Sequence, residues 1–168
     1  MKSIRIIATG GTFEKEYDEI KGALVIRKTH IPRLLRKARC RLPISLKVIS
    51  KIDSLYMDNG LRERILEECR KSKERRIVII HGTDTLAKTA RLLGANIHDK
   101  TIILTGSLIP STFPYSDADF NLGSALAFAQ CMENGVYVAM NGQLFPWNDV
   151  RKILELGVFG ALSPKTYK

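Results

Sequence analysis

The sequence predicts an α/β fold with three layers, in which an open, mostly parallel sheet lies between helices on both faces. Short apolar runs rich in β-branched residues alternate with segments whose apolar residues recur at helical spacing. The apolar runs show little alternation with polar residues, which is typical of strands buried on both faces of a parallel sheet. We therefore expect a flavodoxin-like or Rossmann-like arrangement.

Five strands and four helices follow from these two patterns. The predicted strands are residues 4–9, 44–50, 77–81, 101–105 and 136–140, and the predicted helices are residues 31–39, 60–73, 85–93 and 120–133. In the third helix, Leu86, Ala90 and Leu93 share one face, which we expect to pack on the sheet. In the fourth helix, Leu122, Leu126 and Ala129 do the same.

Length and composition indicate a single globular domain over residues 1–168. Apolar residues make up 45% of the chain and charged residues 26%, and no run approaches the roughly 20 apolar residues of a membrane-spanning helix. The first residues lack the longer apolar region of a secretory leader. Cys40, Cys69 and Cys131 are widely spaced and odd in number, which excludes a disulfide framework or metal spacing and favours a cytoplasmic protein.

The net charge is +10, from 27 basic and 17 acidic side chains. The excess falls into two clusters: Arg33, Arg36, Lys37, Arg39 and Arg41, and Arg70, Lys71, Lys73, Arg75 and Arg76. One interpretation is a nucleic-acid surface, since phosphate neutralisation drives such binding. The other is a set of solvated helix faces that attract an anionic substrate. We favour the second, because no helix-turn-helix, zinc-finger or aromatic stacking motif accompanies the charges.

The ends of the predicted strands are rich in glycine and small hydroxyl residues. They read ATGGT at residues 8–12, SKIDS at 50–54, HGTDT at 81–85 and TGS at 105–107. Ligands of open α/β sheets bind beyond the carboxyl ends of the strands. The convergence of these four segments therefore predicts a polar site at that edge of the sheet.

The first of these segments, Gly10-Gly11-Thr12, permits a sharp turn and close approach of the backbone to a ligand. Neither phosphate-binding glycine motif is present, so the alternatives are a ligand loop and an ordinary turn. Residues 14–22 that follow are polar and acidic, which suggests a mobile hairpin or lid over a small substrate.

The HGTDT segment opens a predicted helix, so Thr83 or Asp84 is a candidate helix cap. The same residues place a hydroxyl and a carboxylate where a developing oxyanion is stabilised by a helix N-terminus. A threonine nucleophile needs a base, and no G-x-S-x-G motif is present. A partly desolvated lysine is the favoured base.

Taken together, ATGGT and HGTDT resemble the two signatures of the bacterial-type asparaginase/glutaminase family. Further similar segments are Asp53-Ser54 followed by Met57, TGSLIPS at 105–111, DADFNL at 117–122 and NDVRK at 148–152. The resemblance covers about residues 1–160. It implies hydrolysis of L-asparagine to L-aspartate and ammonia through an acyl-enzyme, without a metal or an organic cofactor.

The resemblance also implies roles for particular residues. Thr12 is expected to attack the side-chain amide carbon, and Tyr17 to close over the site and assist it. Thr83, Asp84 and Lys152 are expected to form a second catalytic group, with Lys152 as proton acceptor. The expected substrate-binding residues are Gly11, Asp53, Ser54, Gly82, Asp84 and Ser107, with Ser54 and Asp84 holding the substrate's α-carboxylate and α-ammonium.

Each of these roles has a plainer alternative. From the residues alone, Lys152 is more typical of a surface lysine in a basic tail. Tyr17 is equally typical of an exposed loop aromatic, and Ser54 of a turn residue. The asparaginase/glutaminase family carries a smaller C-terminal domain, which supplies an acidic residue to a neighbouring subunit and which we do not expect here.

Leu55 stands where the family commonly has a polar Gln or Ser, so we expect weak affinity for asparagine. Glutamine is one methylene longer, so we expect little glutaminase activity. A homodimer or homotetramer is also expected from the resemblance. The other functions considered are an RNA-associated amidotransferase subunit and a non-catalytic amino-acid-binding module.

Overall fold

The computed structural model describes residues 3–163. Residues 1, 2 and 164–168 of the expected single domain lie outside the described part. The strands are β1 (Ile4–Gly10), β2 (Glu16–Asp18), β3 (Ala23–Val25), β4 (Ile44–Ile52), β5 (Arg76–Ile80), β6 (Thr101–Thr105), β7 (Gly135–Met140), β8 (Gln143–Pro146), β9 (Arg151–Ile153) and β10 (Val158–Gly160). The α-helices are α1 (Ile31–Lys37), α2 (Asn59–Lys71), α3 (Leu86–Asn96) and α4 (Ala118–Cys131).

The central sheet has six strands in the order β4-β1-β5-β6-β7-β8. All neighbouring pairs are parallel except β7 and β8, which pair antiparallel at one edge. The five parallel strands follow the flavodoxin-like order, and the order reverses at β1, between β4 and β5. The predicted fold class is therefore confirmed, and the reversal marks the crevice where ligands of such sheets bind.

Helices cover both faces of the sheet. One core lies under α2 and α3 and includes Ile7 and Ile79 of the sheet, whereas the other lies under α1 and α4 and includes Ile6 and Ile103. Side chains at alternate positions of β1 thus enter different cores, which explains why the strand is apolar throughout. The two helix faces predicted to pack on the sheet, in α3 and α4, are buried as expected.

The predicted strands and helices are confirmed, with small differences at their ends. Helix α1 stops at Lys37 rather than at Arg39, because Arg39 has a φ of 50° and a left-handed residue ends a right-handed helix. Helix α3 continues to Asn96, beyond the predicted end at residue 93.

The segment expected to form a hairpin begins one, since β2 and β3 pair antiparallel. Strands β8, β9 and β10 were not predicted from the sequence. Strands β9 and β10 form a separate two-stranded hairpin outside the central sheet. Within residues 3–163, none of the helices has the length and apolar character needed to cross a membrane.

Two helical glycines provide a test of the packing around α3. A Cβ added at Gly94 would overlap the indole ring of Trp147, whereas one added at Gly123 in α4 meets nothing within 4 Å. We expect Gly94→Ala to lower the free energy of unfolding by about 1–3 kcal/mol through overpacking. Gly123→Ala is expected to raise it by about 0.5–1 kcal/mol through helix propensity. Urea unfolding of both variants measures these changes in the free energy of unfolding. A Gly94→Ala variant as stable as Gly123→Ala would contradict the packing of Trp147 against Gly94.

Candidate active site

The loops that follow β1 and β5 touch each other through two glycines. Gly11 has a φ of 74°, and a Cβ added there would overlap the backbone of Gly82. A Cβ added at Gly82 would in turn lie 2.5 Å from the hydroxyl oxygen of Ser54, in the loop after β4. No side chain fits at either position, so the three loops meet only because both residues are glycine.

Several hydroxyl groups at this edge of the sheet are used to join the strands. Thr9 donates a hydrogen bond to the carbonyl of Ile80 (3.0 Å), and Thr105 donates one to the carbonyl of Ala139 (2.7 Å). The hydroxyl of Ser107, expected to bind substrate, donates to the carbonyl of Ile109 (2.7 Å) within its own loop. Some of the hydroxyl side chains noted in the sequence therefore hold the strand ends and loops at this edge in place.

Thr83, Asp84 and Lys152 lie together. The Lys152 ammonium donates hydrogen bonds to the Thr83 hydroxyl (2.8 Å) and to the Asp84 carboxylate (2.6 Å). Thr83 is buried and the Lys152 side chain is only 18% exposed, so this lysine is not a freely solvated surface residue. These three residues link the loop after β5 to strand β9. A proton can pass between the Thr83 hydroxyl and the Lys152 amine, which are in direct contact.

Thr12 follows Gly11 directly, at the start of a single 3₁₀ turn, Thr12–Glu14. Its side chain is half-buried, and its hydroxyl forms no hydrogen bond with the residues that the structure describes. The close contact between Gly11 and Gly82 brings this loop against the one that carries Thr83 and Asp84. The unpartnered hydroxyl of Thr12 thus lies on a loop that adjoins the loop of Thr83, whose hydroxyl is bonded to Lys152.

Asp53 and Ser54 lie in the loop after β4. Asp53 accepts a hydrogen bond from the backbone N–H of Leu55 (3.1 Å) and pairs with the ammonium of Lys15 (2.6 Å). Burial raises the pKa of Asp53, but these hydrogen bonds and the nearby lysine charges outweigh it and hold the pKa below its usual value. Lys15 was missed by the sequence analysis, because nothing in its local pattern indicates a partner in a distant loop.

Ser54 is 1% exposed, and its hydroxyl has no hydrogen-bond partner among the described residues. Its carbonyl accepts a hydrogen bond from the Thr85 hydroxyl (2.9 Å). A buried hydroxyl without a partner is costly, so Ser54 is available for a ligand that reaches the crevice.

Tyr17 lies on β2 opposite Leu24 of β3, and its side chain is 59% exposed. The structure does not bring its hydroxyl into the hydrogen-bonded group of Lys152.

Asp18 anchors the same hairpin through an ion pair with Arg27. The Thr112 hydroxyl also donates to the Lys15 carbonyl (3.1 Å), which fixes the approach to the hairpin.

His81 was quoted in the sequence motif but given no role, and it is fully buried. Its Nδ1 lies 2.8 Å from the Gly82 carbonyl and its Nε2 lies 2.8 Å from the Thr89 hydroxyl. With Nδ1 protonated, the ring donates to the carbonyl and accepts from the hydroxyl, which satisfies both groups. Burial lowers the pKa of His81 to about 4, so the ring is neutral at pH 7 and holds the Gly82 loop.

A second polar network holds the hairpin that carries Lys152. Asn121 of α4 donates to the carbonyl of Gly106 (3.0 Å) and accepts from the backbone N–H of Asn141 (3.1 Å). The side chain of Asn141 then accepts from the backbone N–H of Phe159 (3.0 Å), the residue paired with Lys152 across the β9–β10 hairpin. This network fastens the hairpin that carries the lysine to the central sheet.

Metal ligands were not expected in the sequence. Within residues 3–163, no group of three or more His, Cys, Asp or Glu side chains is arranged to hold a metal ion. The groups that the structure does assemble are two threonine hydroxyls, an ion-paired lysine and a buried serine hydroxyl. Such groups are suited to nucleophilic attack with proton transfer.

These features define an α/β protein with threonine hydroxyls and a half-buried, ion-paired lysine at the carboxyl edge of a parallel sheet. Residues 3–163 match the sequence profile of the family described as asparaginase, N-terminal, and the chain belongs to that family. The predicted family is therefore confirmed.

Individual relatives agree with the family match. The chain is 45% identical over 84 residues to an L-asparaginase of Thermococcus kodakarensis, an alignment covering 49% of this chain and 26% of that protein. It is 34% identical over 152 residues to a glutamyl-tRNA(Gln) amidotransferase subunit of Methanococcus maripaludis, covering 85% of this chain and 36% of that protein.

Solved structures show the same relationship. The thermostable L-asparaginase from Thermococcus kodakarensis superposes with a TM-score of 0.84 and 31% identity, covering 95% of this chain and 51% of that one. A probable cytoplasmic L-asparaginase from Campylobacter jejuni gives a TM-score of 0.76 and 29% identity, covering 96% and 52%. The chain thus spans about half the length of these structures.

The buried His81 predicts a specific pH dependence of stability. Its pKa is about 4 in the folded protein and near 6.5 in the unfolded chain, so the unfolded state binds more protons between these values. The neutral ring therefore contributes about 3 kcal/mol to the free energy of unfolding above pH 6.5, and this contribution is lost as the pH falls toward 4. His81→Gln, which cannot titrate there, is expected to lack this loss.

Urea unfolding at pH 7, 6 and 5 measures the difference between the wild type and His81→Gln. His98 is exposed, so His98→Gln is the matched control and is expected to keep the wild-type pH dependence. Parallel stability profiles of the wild type and His81→Gln between pH 6.5 and 5 would show that His81 is not responsible.

Proposed function

We propose that this protein is an L-asparaginase, which hydrolyses L-asparagine to L-aspartate and ammonia. Thr12 is the nucleophile, and Thr83, Asp84 and Lys152 form the second catalytic group. The observation that carries the proposal is the pair of hydrogen bonds from Lys152 to Thr83 and Asp84 beside the Thr12 loop. Membership of the asparaginase N-terminal family supports the same chemistry.

The first chemical step forms a bond between the Thr12 oxygen and the amide carbon. A threonine hydroxyl hardly ionises near neutral pH, so its proton must be taken up as the bond forms. Lys152 is the proposed acceptor within the second group, acting from its neutral amine form, and Asp84, at 2.6 Å, stabilises the ammonium that results. The carbon–nitrogen bond then breaks as this proton is returned to the leaving nitrogen, ammonia departs, and an aspartyl ester remains on Thr12.

The second step returns Thr12 to its starting state. Water attacks the ester carbon, the carbon–oxygen bond to Thr12 breaks, and L-aspartate is released. The Thr83 hydroxyl, bonded to Lys152, is positioned to orient the water or pass on its proton. Tyr17, on the neighbouring hairpin, is proposed to close over the crevice when substrate binds and to assist Thr12.

Recognition of the amino acid is assigned to the surrounding loops. The unpartnered hydroxyl of Ser54 is proposed to bind the α-carboxylate, and Asp84 the α-ammonium. Gly11, Gly82, Asp53 and Ser107 complete the proposed binding surface, in part through their backbone. Neither step requires a metal or an organic cofactor.

We also propose that the protein is a cytoplasmic homodimer or homotetramer. Large apolar side chains are exposed on the loop between β6 and α4 and on the turn of the β9–β10 hairpin, among them Phe113, Tyr115, Leu154 and Leu156. Burial of such side chains against a second subunit would be favourable. The three cysteines are free, which suits a reducing compartment.

A second candidate function is an amidotransferase subunit that supplies ammonia for a reaction on transfer RNA. It is favoured by the similarity to the Methanococcus maripaludis protein over 85% of this chain, and by the net charge of +10. Both functions use the same amide hydrolysis. Retention of transfer RNA at physiological salt would favour this second function, because a generic basic surface releases it there.

Loss of either proposed catalytic group is expected to abolish most of the activity. Thr12→Ala removes the nucleophile, so we expect ammonia release from L-asparagine to fall at least about a thousandfold. Thr83→Val and Lys152→Met remove parts of the proton-transfer group, so we expect losses of about 10²–10⁴-fold. Ammonia release by purified proteins at saturating asparagine provides the measurement.

Two variants control for general damage. Thr101 lies at the opposite end of the sheet, so Thr101→Val removes a threonine hydroxyl away from the site, and Lys73→Met removes an exposed lysine. Both are expected to keep near wild-type turnover. Equal ammonia release by the wild type, Thr12→Ala and Thr83→Val would exclude the proposed mechanism.

Leu55 offers a test of substrate recognition. Its side chain is 66% exposed and cannot donate a hydrogen bond to a substrate. One hydrogen bond to a charged group contributes about 1.5–3 kcal/mol, so Leu55→Gln is expected to lower the KM for asparagine about tenfold to a hundredfold. Leu55→Ala removes the apolar side chain without adding a donor and serves as the control. An equal KM for both variants would contradict a role for position 55 in binding.

A further inference from the structure

Arg62 in the first turn of α2 is a buried cation with few partners. Its side chain is 8% exposed, and its Nε has no hydrogen-bond partner in the described part of the chain. A guanidinium has five N–H donors, yet Arg62 makes one hydrogen bond, from Nη1 to the Asn59 side chain at 3.3 Å. Within residues 3–163, no carboxylate lies within 4.0 Å of it.

The position of this charge in the fold increases its cost. A cation in the first turn of a helix meets the positive end of the helix dipole. The charge of Arg62 also helps to lower the pKa of the buried His81, after the larger effect of burial itself. Buried charges are normally paired, because removing an ion from water costs several kcal/mol without a counter-ion. Arg62 therefore lacks the anion that its surroundings require.

Arg62 lines a surface cavity. It has a volume of about 300 Å³ and is lined by Asn59, Arg62, Glu63, Lys88 and Leu92, from α2 and α3. Lys88, an exposed lysine, supplies a second positive charge, and the Asn59 side chain supplies an amide. Glu63 is the only carboxylate among the lining residues, so two cations face one anion there.

We propose that this cavity binds a small oxyanion, held by the guanidinium of Arg62 and the ammonium of Lys88. The planar fork of an arginine pairs with two oxygens of a phosphate or a carboxylate at once, and lysine adds a mobile point charge. None of the lining residues belongs to the candidate active site, so the proposal does not depend on amide hydrolysis. A bound oxyanion would satisfy Nε and neutralise the charge beside His81.

Isothermal titration with inorganic phosphate tests the proposal on the full chain, with chloride used to keep the ionic strength constant. The wild type is expected to bind one phosphate per chain saturably. Arg62→Met is expected to weaken binding at least about tenfold, because a charge-assisted hydrogen bond is lost. Lys88→Met is expected to weaken it about two- to fivefold, as for a partly exposed ion pair. Lys73→Met removes an exposed lysine elsewhere and is expected to bind as the wild type does.

A parallel titration with acetate separates the two sources of oxyanion. Tighter binding of phosphate identifies a phosphate group as the ligand, and tighter binding of acetate identifies a carboxylate. Acetate is preferred to aspartate because aspartate is the product proposed for the active site. In either case, the sensitivity to Arg62→Met is the result that supports the site.

Thermal unfolding without added anion checks that the variants fold, and Arg62→Met is expected to be no less stable than the wild type. Absence of saturable binding of both anions to the wild type would overturn the proposal. So would equal affinities of the wild type and Arg62→Met. An Arg62→Met variant that dissociates an oligomer, with no anion binding by the wild type, would instead assign the counter-ion to a partner subunit.

Discussion

The candidate site depends on the contact between Gly11 and Gly82. Parallel strands deliver their carboxyl ends to one edge of the sheet, but the loops there normally carry side chains that keep the backbones apart. In this protein the two backbones touch, and Ser54 approaches Gly82 from a third loop. That approach sets the free hydroxyl of Thr12 beside the loop of Thr83 and Asp84. The two threonine-bearing loops are thus brought together by the absence of side chains at Gly11 and Gly82.

Two polar networks hold this arrangement in place. His81 fastens the carbonyl of Gly82 from within the core, in a ring that stays neutral because charging it there is costly. Asn121 and Asn141 fasten the hairpin of Lys152 to α4 and to the loop after β6. Fully satisfied networks of this kind make their members rigid. The lysine consequently has a fixed position even though it lies outside the central sheet.

Much of the fold could be predicted from the sequence, because continuous apolar runs and helical spacing identify each parallel strand and each helix. The short strands β8, β9 and β10 could not, since three or four residues are too few to show a period. The motifs indicated Thr83 and Asp84 from the residues themselves, whereas Lys152 was found only through the family resemblance. Lys15 and Asn141 act through partners distant in the chain, and no local pattern reports such pairing. His81 bonds to Gly82 and Thr89, which are close to it in the chain, but its complete burial depends on the packing of the whole fold.

The β9–β10 hairpin has a consequence for how the chain tolerates insertions and deletions. Side chains in a strand point alternately to opposite faces, so moving Lys152 by one position would turn its amine away from Thr83. Changes in the hairpin turn, residues 154–157, leave the pairing of β9 with β10 intact. A residue added or lost within β9 itself, ahead of Lys152, reverses the facing of the lysine relative to β10. Tolerated changes of length are thus expected to fall in the turns on either side of β9, where the pairing of Lys152 with Phe159 is kept.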